Sequence, residues 1–184
     1  MILTDREIKA SLANGLLVID PPPGDTAYDS TTVDLTLDQN LRLFRPMAPG
    51  LAAAIDPGMP GYKATNLIMG LTDPFVIPSS GWDLEPNKLV LGWTKERIEL
   101  PLHGRVAARV EGKSGLARVG LTIHCTAPTI HAGFEGTIQL EIVNHGPLPI
   151  KLRPGVGICQ LVFEQTLGMS SKAYGGQFFG QGTT

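Results

Sequence analysis

The stretch from Arg109 to Glu141 holds the residue types that could do chemistry. In EGKSGLARVG, Lys113 and Arg118 flank Ser114, Gly115, Leu116 and Ala117. A Lys-Ser-Gly turn after a strand can offer a cation, a hydroxyl and free backbone N–H groups to a phosphate. Gly115 lets the backbone approach such a group closely. Taken alone, the triplet is more often a solvated surface turn. Further on, GTIQLEIVN carries Glu141 between Leu140 and Ile142. Period two puts Ile138, Leu140 and Ile142 on one face and Gln139, Glu141 and Val143 on the other. A carboxylate in so apolar a strand is either solvated or buried and paired, and a buried carboxylate is the stronger general base. Strand pattern by itself favours the solvated face. Between the two segments lies the loop TAPTIHAGFEG, whose only obvious polar functional group is His131. A lone loop histidine is more often an exposed hydrogen-bonding residue than a catalyst.

The elements that must position these residues are mostly strands. Residues 4 to 14 read as a helix: Thr4 can cap it, Glu7 can complete a capping box, and Ile8 and Leu12 share a face before Gly15 stops it. LLVID reads as a short strand. From Thr31 the pattern alternates, with Val33, Leu35 and Leu37 set against Asp34 and Thr36, and NLRLF continues it. Residues 46 to 66 are rich in Pro and Gly without a clear period, which predicts a surface loop or insertion. FVIP, KLVLGWT, RIELP, RVAARVEG, LTIHCT, GTIQLEIVN, LPIKL and GICQLVF then follow as short Val-, Ile-, Leu- and Thr-rich runs bounded by Gly or Pro. So many short strands predict a mainly β sandwich or barrel of jelly-roll type with one short N-terminal helix. The tail from Met169 to Thr184 is disordered on composition alone.

Composition sets outer bounds. The 184 residues suit one domain, residues 1 to 184, rather than two. Fifteen Lys and Arg against 17 Asp and Glu give a net charge of -2, which argues against a nucleic-acid partner. The opening MILTDREIKA lacks a secretion signal, and no apolar run reaches the length of a membrane span. Cys125 and Cys159 have no ligand partners at metal spacing and read as reduced, buried side chains. The expectation is a cytoplasmic protein with no membrane partner.

Taken together, these segments resemble the dCTP deaminase family of the trimeric dUTPase-like superfamily, nearly end to end. MILTDREI…NGLLVID is similar to the family's opening, STTVDLTL to its S-S-x-D-L-x-L segment, and LEPNKLVLGWTKERIELP to its L-x-P-G-x-x-x-L-x-x-T-x-E-x-x-x-L-P stretch. EGKSGLARVG through GICQLVF follows G-[RK]-S-S-L-A-R-x-G … T-A-x-x-I-D-x-G-[FW]-x-G-x-I-x-L-E-x-x-N … L-x-P-G-x-x-I-x-Q-L. The tail YGGQFFGQGTT is similar to Y-x-G-K-Y-x-G-Q-x-G-x-T, which replaces the compositional reading of disorder by a segment, residues 169 to 184, that closes over the nucleotide.

The resemblance implies a distorted jelly-roll, dUTPase-like β-barrel that assembles as a homotrimer with shared active sites. It implies conversion of dCTP to dUTP and ammonia, with Glu141 as general base and Ser114, Arg118 and the backbone of Ala127 holding the attacking water and the base. Lys113, Ser114, Gly115, Leu116, Ala117 and Arg118 would contact the nucleotide, as would Gln139, Leu140, Glu141, Gln160, Tyr174 and Gln181. His131 would face the sugar. Mg²⁺ would arrive on the triphosphate, dTTP is a possible inhibitor, and no residue is expected to ligate a metal. The zinc deaminase signature, H-x-E followed by P-C-x-x-C, is absent, so the expected chemistry uses no zinc. Three departures stand out: His131 replaces the family's Asp, Gly115 its second Ser, and Gln177 and Phe178 its tail Lys and Tyr. The rival readings are a dUTPase or bifunctional enzyme giving dUMP and diphosphate, and a non-catalytic nucleotide-binding regulator.

Overall fold

Thr4 begins the chain's first element as its residue type predicts. Its backbone N–H donates to Glu7 Oε2 at 3.0 Å, which completes the capping box of α1 (Asp5–Ala13). Ile8 on the inner face is fully buried, Leu12 packs beside it against the core, and Gly15 takes a positive φ of 66° just past the helix end. The computed structural model describes residues 1–46, 54–172 and 174–175.

Eleven strands follow among the described residues: β1 (Val18–Asp20), β2 (Val33–Phe44), β3 (Thr72–Val76), β4 (Trp82–Leu84), β5 (Leu89–Glu99), β6 (Val106–Gly112), β7 (Leu121–Thr122), β8 (Thr129–Ile130), β9 (Glu135–Asn144), β10 (Ile150–Leu152) and β11 (Gly157–Gln165). Nine form one antiparallel sheet, whose main path runs β7-β9-β5-β2-β11-β6-β8, with β1 against β5 and β3 against β2. β4 and β10 pair separately. The sheet curls around one apolar cluster that takes Val33, Leu35 and Leu37 from β2, Ile138, Leu140 and Ile142 from β9, and Leu161 and Phe163 from β11. Each such side chain contributes roughly 1.5–3 kcal/mol by leaving water.

The curl depends on irregularities. Register shifts between Leu37 and Leu41 in β2 and between Trp93 and Arg97 in β5 let both long strands bend. A bend breaks ladder hydrogen bonds, and side chains replace them. Buried Thr94 accepts the Ile138 N–H at 2.9 Å and donates to the Glu96 carbonyl at 2.8 Å. The Glu96 carboxylate, buried in turn, accepts the Thr36 N–H at 2.8 Å and the Thr36 hydroxyl at 2.6 Å. β9 is thereby fastened to β5, and β5 to β2, across the bends.

A second joint closes the far end of β9. Asn144 is fully buried; its Nδ2 donates to the Leu84 and Leu148 carbonyls at 2.8 and 2.9 Å, and its Oδ1 accepts the Gly146 N–H at 2.8 Å. Gly120 lies directly on this corner. A Cβ there would come within 2.2 Å of Gly146 N, and its φ of 97° already excludes most side chains. The His145 N–H donates to the Gly120 carbonyl at 2.8 Å.

The mainly β architecture with a short N-terminal helix agrees with the sequence. TVDLTL and NLRLF are one strand, β2, and KLVLGWT and RIELP one strand, β5. LTIHCT pairs only at Leu121 and Thr122 before the chain turns away. One element is a correction: α2 (Ala64–Leu71) begins inside the stretch read as a loop. None of its residues is fully buried, and its eight residues follow directly on the Pro- and Gly-rich run that set the loop reading. Replacing Asn144 by Ala removes three hydrogen bonds and strands their backbone partners, at about 1 kcal/mol each. The expected result is a loss of about 3 kcal/mol of stability, read as a lower urea midpoint at unchanged slope.

Candidate active site

Glu141 sits at the centre of β9 with its side chain partly buried. The carboxylate opens onto a cavity of about 260 Å³ whose wall includes Gln139, His124, Ala127, His131 and Tyr174. The alternation read from sequence holds: Ile138, Leu140 and Ile142 are in the core, and Gln139 and Glu141 face the cavity. Directly across the sheet, Leu91 faces Glu141 and Trp93 faces Gln139; these neighbours are 4% and 3% exposed. The carboxylate therefore has apolar neighbours on the sheet and open space in front. The Cys125 backbone N–H donates to Glu141 Oε2 at 3.3 Å, which turns that oxygen toward the loop carrying Ala127.

The loop after β8 brings His131 to the rim of the cavity. Its ring stacks on Tyr174 with centroids 5.5 Å apart and planes at 18°, and Phe134 packs beside Tyr174 at 6.1 Å. His131 and Tyr174 also border an adjoining hollow of about 430 Å³ that holds Thr166, Ser170 and Lys172. The stacked pair is thus the partition between two spaces.

Lys113, Ser114, Gly115 and Gln160 line a different hollow, of about 250 Å³, shared with Tyr28, Asp29 and Asp34. The Lys113 ammonium pairs with the Asp34 carboxylate. Gln160 Nε2 donates to the Gly112 carbonyl at 3.2 Å. The open turn expected after β6 is a one-turn helix, α3 (Ser114–Ala117), in which Leu116 packs against the core and Ala117 is exposed. Arg118 follows, exposed, at the end of that turn. The structure thus gathers Glu141, Gln139, Ala127, His131 and Tyr174 around one cavity and the Lys113–Gly115 turn with Gln160 around another. Leu140 turns its side chain fully into the core, so only its backbone can reach a ligand. Gln177, Phe178 and Gln181 lie outside the described residues.

Sequence reasoning missed Asp34, His124 and Trp93. Asp34 lies on the polar face of an evident alternating strand, and that alternation was its only signal. Trp93 Nε1, Arg109 Nε and His124 Nδ1 are buried with no hydrogen-bond partner among the described residues. Such an orphan costs about 1–3 kcal/mol. The cysteine reading also needs correction, because Cys125 is exposed and only Cys159 is buried. Burial pushes both thiols up, and the Glu141 charge adds to the effect at Cys125. Among the described residues no three His, Cys, Asp or Glu side chains are placed to hold a metal, and no helix is long and apolar enough to cross a membrane.

The fold and the site define a mainly β protein whose curled antiparallel sheet sets a strand carboxylate beside a cavity. The comparisons narrow this further. A family model described as dCTP deaminase-like matches residues 2–166. The dCTP deaminase of Rhodospirillum rubrum is 40% identical, over 95% of this chain and 87% of its own length. A dUMP-forming dCTP deaminase of Methanosphaera stadtmanae is 37% identical, over 95% of this chain and 84% of its own. The solved 2'-deoxycytidine 5'-triphosphate deaminase of Agrobacterium tumefaciens superposes with a TM-score of 0.67 at 23% identity, covering 89% of this chain. This chain spans about half the length of that structure, 48% of it. The chain belongs to the dCTP deaminase-like family, a family of enzymes.

The thiols offer a direct probe of Glu141. A thiol reagent should titrate one cysteine per native chain, Cys125, and reach Cys159 only on unfolding. Because the Glu141 charge raises the Cys125 thiol, Glu141→Gln lowers it and increases the thiolate fraction at a fixed pH below that value. Labelling at pH 8 should be faster in the variant, and an unchanged rate would separate the two groups.

Proposed function

We propose that this protein hydrolyses dCTP to dUTP and ammonia. The observation that carries the proposal is Glu141, held by the Cys125 N–H on a strand whose sheet neighbours are apolar and facing a cavity with Gln139. Glu141 takes a proton from water as the water attacks C4 of cytosine, and returns protons to the departing amino group. Fixed donors near C4 stabilise the charge that develops on the tetrahedral centre.

Ser114, Arg118 and the Ala127 backbone are the proposed holders of that water and the ring. In one chain Ala127 borders the Glu141 cavity, whereas Ser114 borders the hollow around Lys113. A site that uses both draws the Lys113–Arg118 turn from a neighbouring copy, which is the reason to propose a homotrimer with shared sites. Arg118 and Val119, both exposed, are available for that contact. Lys113, Ser114 and Gly115 would take the triphosphate, with Lys113 leaving Asp34 for a phosphate oxygen. The described side chains offer no cage for a metal, so Mg²⁺ would be carried by phosphate oxygens and water. dTTP, with the same sugar and phosphates, would compete for the site.

Onward hydrolysis to dUMP is the second reading, supported by relatives named dUMP-forming. Against it stands His131: stacked on Tyr174, it presents an imidazole where a carboxylate would orient a hydrolytic water. Incubation with dCTP and Mg²⁺, with ammonia, diphosphate and nucleotide product measured together, decides among these. Ammonia with dUTP supports the proposal, dUMP with diphosphate supports the second reading, and absence of turnover leaves a nucleotide-binding protein. Glu141→Gln should reduce ammonia release by about 10²–10⁴-fold, the usual contribution of a general base, while the assembly state stays as in the wild type. Substantial residual activity removes Glu141 from that role.

A further inference from the structure

Trp93 is 3% exposed, and its indole Nε1–H is buried without an acceptor among the described residues. Its register partner on β9 is Gln139. Residues directly opposite in an antiparallel pair point to the same face with Cβ atoms about 4.5–5.5 Å apart. Gln139 lines the Glu141 cavity, two residues along the same strand from the carboxylate. The orphaned donor thus belongs to the register neighbour of Gln139, the one side-chain amide among the described residues that faces the candidate base-binding space. Thr94, the next residue after Trp93, is pinned to Ile138 and Glu96, so the indole is carried on a fixed backbone.

We infer that Trp93 is a positioning residue whose unpartnered N–H takes the Gln139 side-chain oxygen when a nucleotide enters, and that it thereby favours cytosine over uracil in the cavity. The argument rests on the proposed reading of that cavity as a pyrimidine site. An indole N–H only donates, whereas a glutamine amide offers one oxygen that accepts and one NH₂ that donates. The indole can therefore hold only Gln139 Oε1, which leaves Nε2 directed at the ligand. Free in solution an amide presents either end; locked in this way it presents a donor. N3 of cytosine accepts a hydrogen bond, whereas N3 of uracil carries a hydrogen and repels a second donor. The locked amide distinguishes substrate from product at the ring position next to the reacting carbon.

The test compares the wild type with Trp93→Phe, Gln139→Leu and the double variant, using KM and kcat for dCTP and the inhibition constant of dUTP. Loss of one oriented hydrogen bond should raise the dCTP KM about tenfold and leave kcat within about twofold. The dUTP constant should change much less, so the ratio of the two narrows. Because both residues act through one amide, the double variant should be no worse than either single one. An unchanged ratio in Trp93→Phe, or single effects that multiply in the double variant, overturns the inference. These ratios do not depend on how much of each variant folds. A second readout avoids the substitution. In Trp82→Phe/Glu141→Gln protein, the remaining indole N–H resonance should shift and exchange more slowly when dCTP is added, and a resonance unmoved by bound dCTP overturns the inference. Wild-type protein that neither binds nor turns over dCTP sinks the pyrimidine-site reading itself, whereas turnover with an unaltered Trp93→Phe ratio sinks only the role of Trp93.

Discussion

The side chain of Asn144 satisfies three backbone groups at once, and the positions of the functional segments depend on it. Its donors go to the carbonyls of Leu84 and Leu148, and its oxygen takes the Gly146 N–H. Where β9 ends, the sheet loses its ladder, and buried backbone groups would otherwise go unpaired. The amide closes that gap and sets the corner against which Gly120 packs. Gly120 lies two residues beyond Arg118, and Asn144 three beyond Glu141. One buried amide thus ties the end of the Lys113–Arg118 turn to the strand that carries the candidate base. Thr94 does the same at the middle of β9 by accepting the Ile138 N–H at the bend. Between these joints, Gln139 and Glu141 have little freedom of backbone.

The two hollows differ in character, and the difference matches what each would hold. Around Glu141 the sheet neighbours Leu91 and Trp93, with Ile138 and Phe134 in the cavity wall, set the carboxylate in a partly apolar frame that is open in front. Around Lys113 the lining is polar and carries Asp29 and Asp34. The Lys113–Asp34 pair is about one-third exposed, with side chains at 30% and 31%, and a pair so placed contributes at most about 1 kcal/mol. A multiply charged phosphate can displace the carboxylate from the ammonium at little cost. The pair keeps a cation ordered without holding it back.

Much of this was legible in the residues, for identifiable reasons. Alternation in GTIQLEIVN separated Leu140 from Glu141 correctly, because one face of β9 packs in the core and the other does not. The capping box of Thr4 and Glu7 was readable because it is local. α2 was not, since its eight residues directly after a Pro- and Gly-rich run make only about two turns. Asp34, His124 and Trp93 were not singled out, because their significance comes from partners on other strands. The same limit applied to the separation of Glu141 from the Lys113 turn: spacing along a chain does not say which hollow a side chain enters. Asn144 entered only as the last letter of a motif, and its role became physical once its three partners were visible.

The placement of Glu141 and Lys113 in different hollows has a genetic consequence. In the proposed assembly, a chain that has lost the carboxylate still contributes an intact cationic turn, and a chain that has lost the cation still contributes an intact carboxylate. Two inactive alleles of these kinds would complement each other, because mixed oligomers rebuild complete pairings at some of their junctions. Heredity would then treat one polypeptide as two separable units of function.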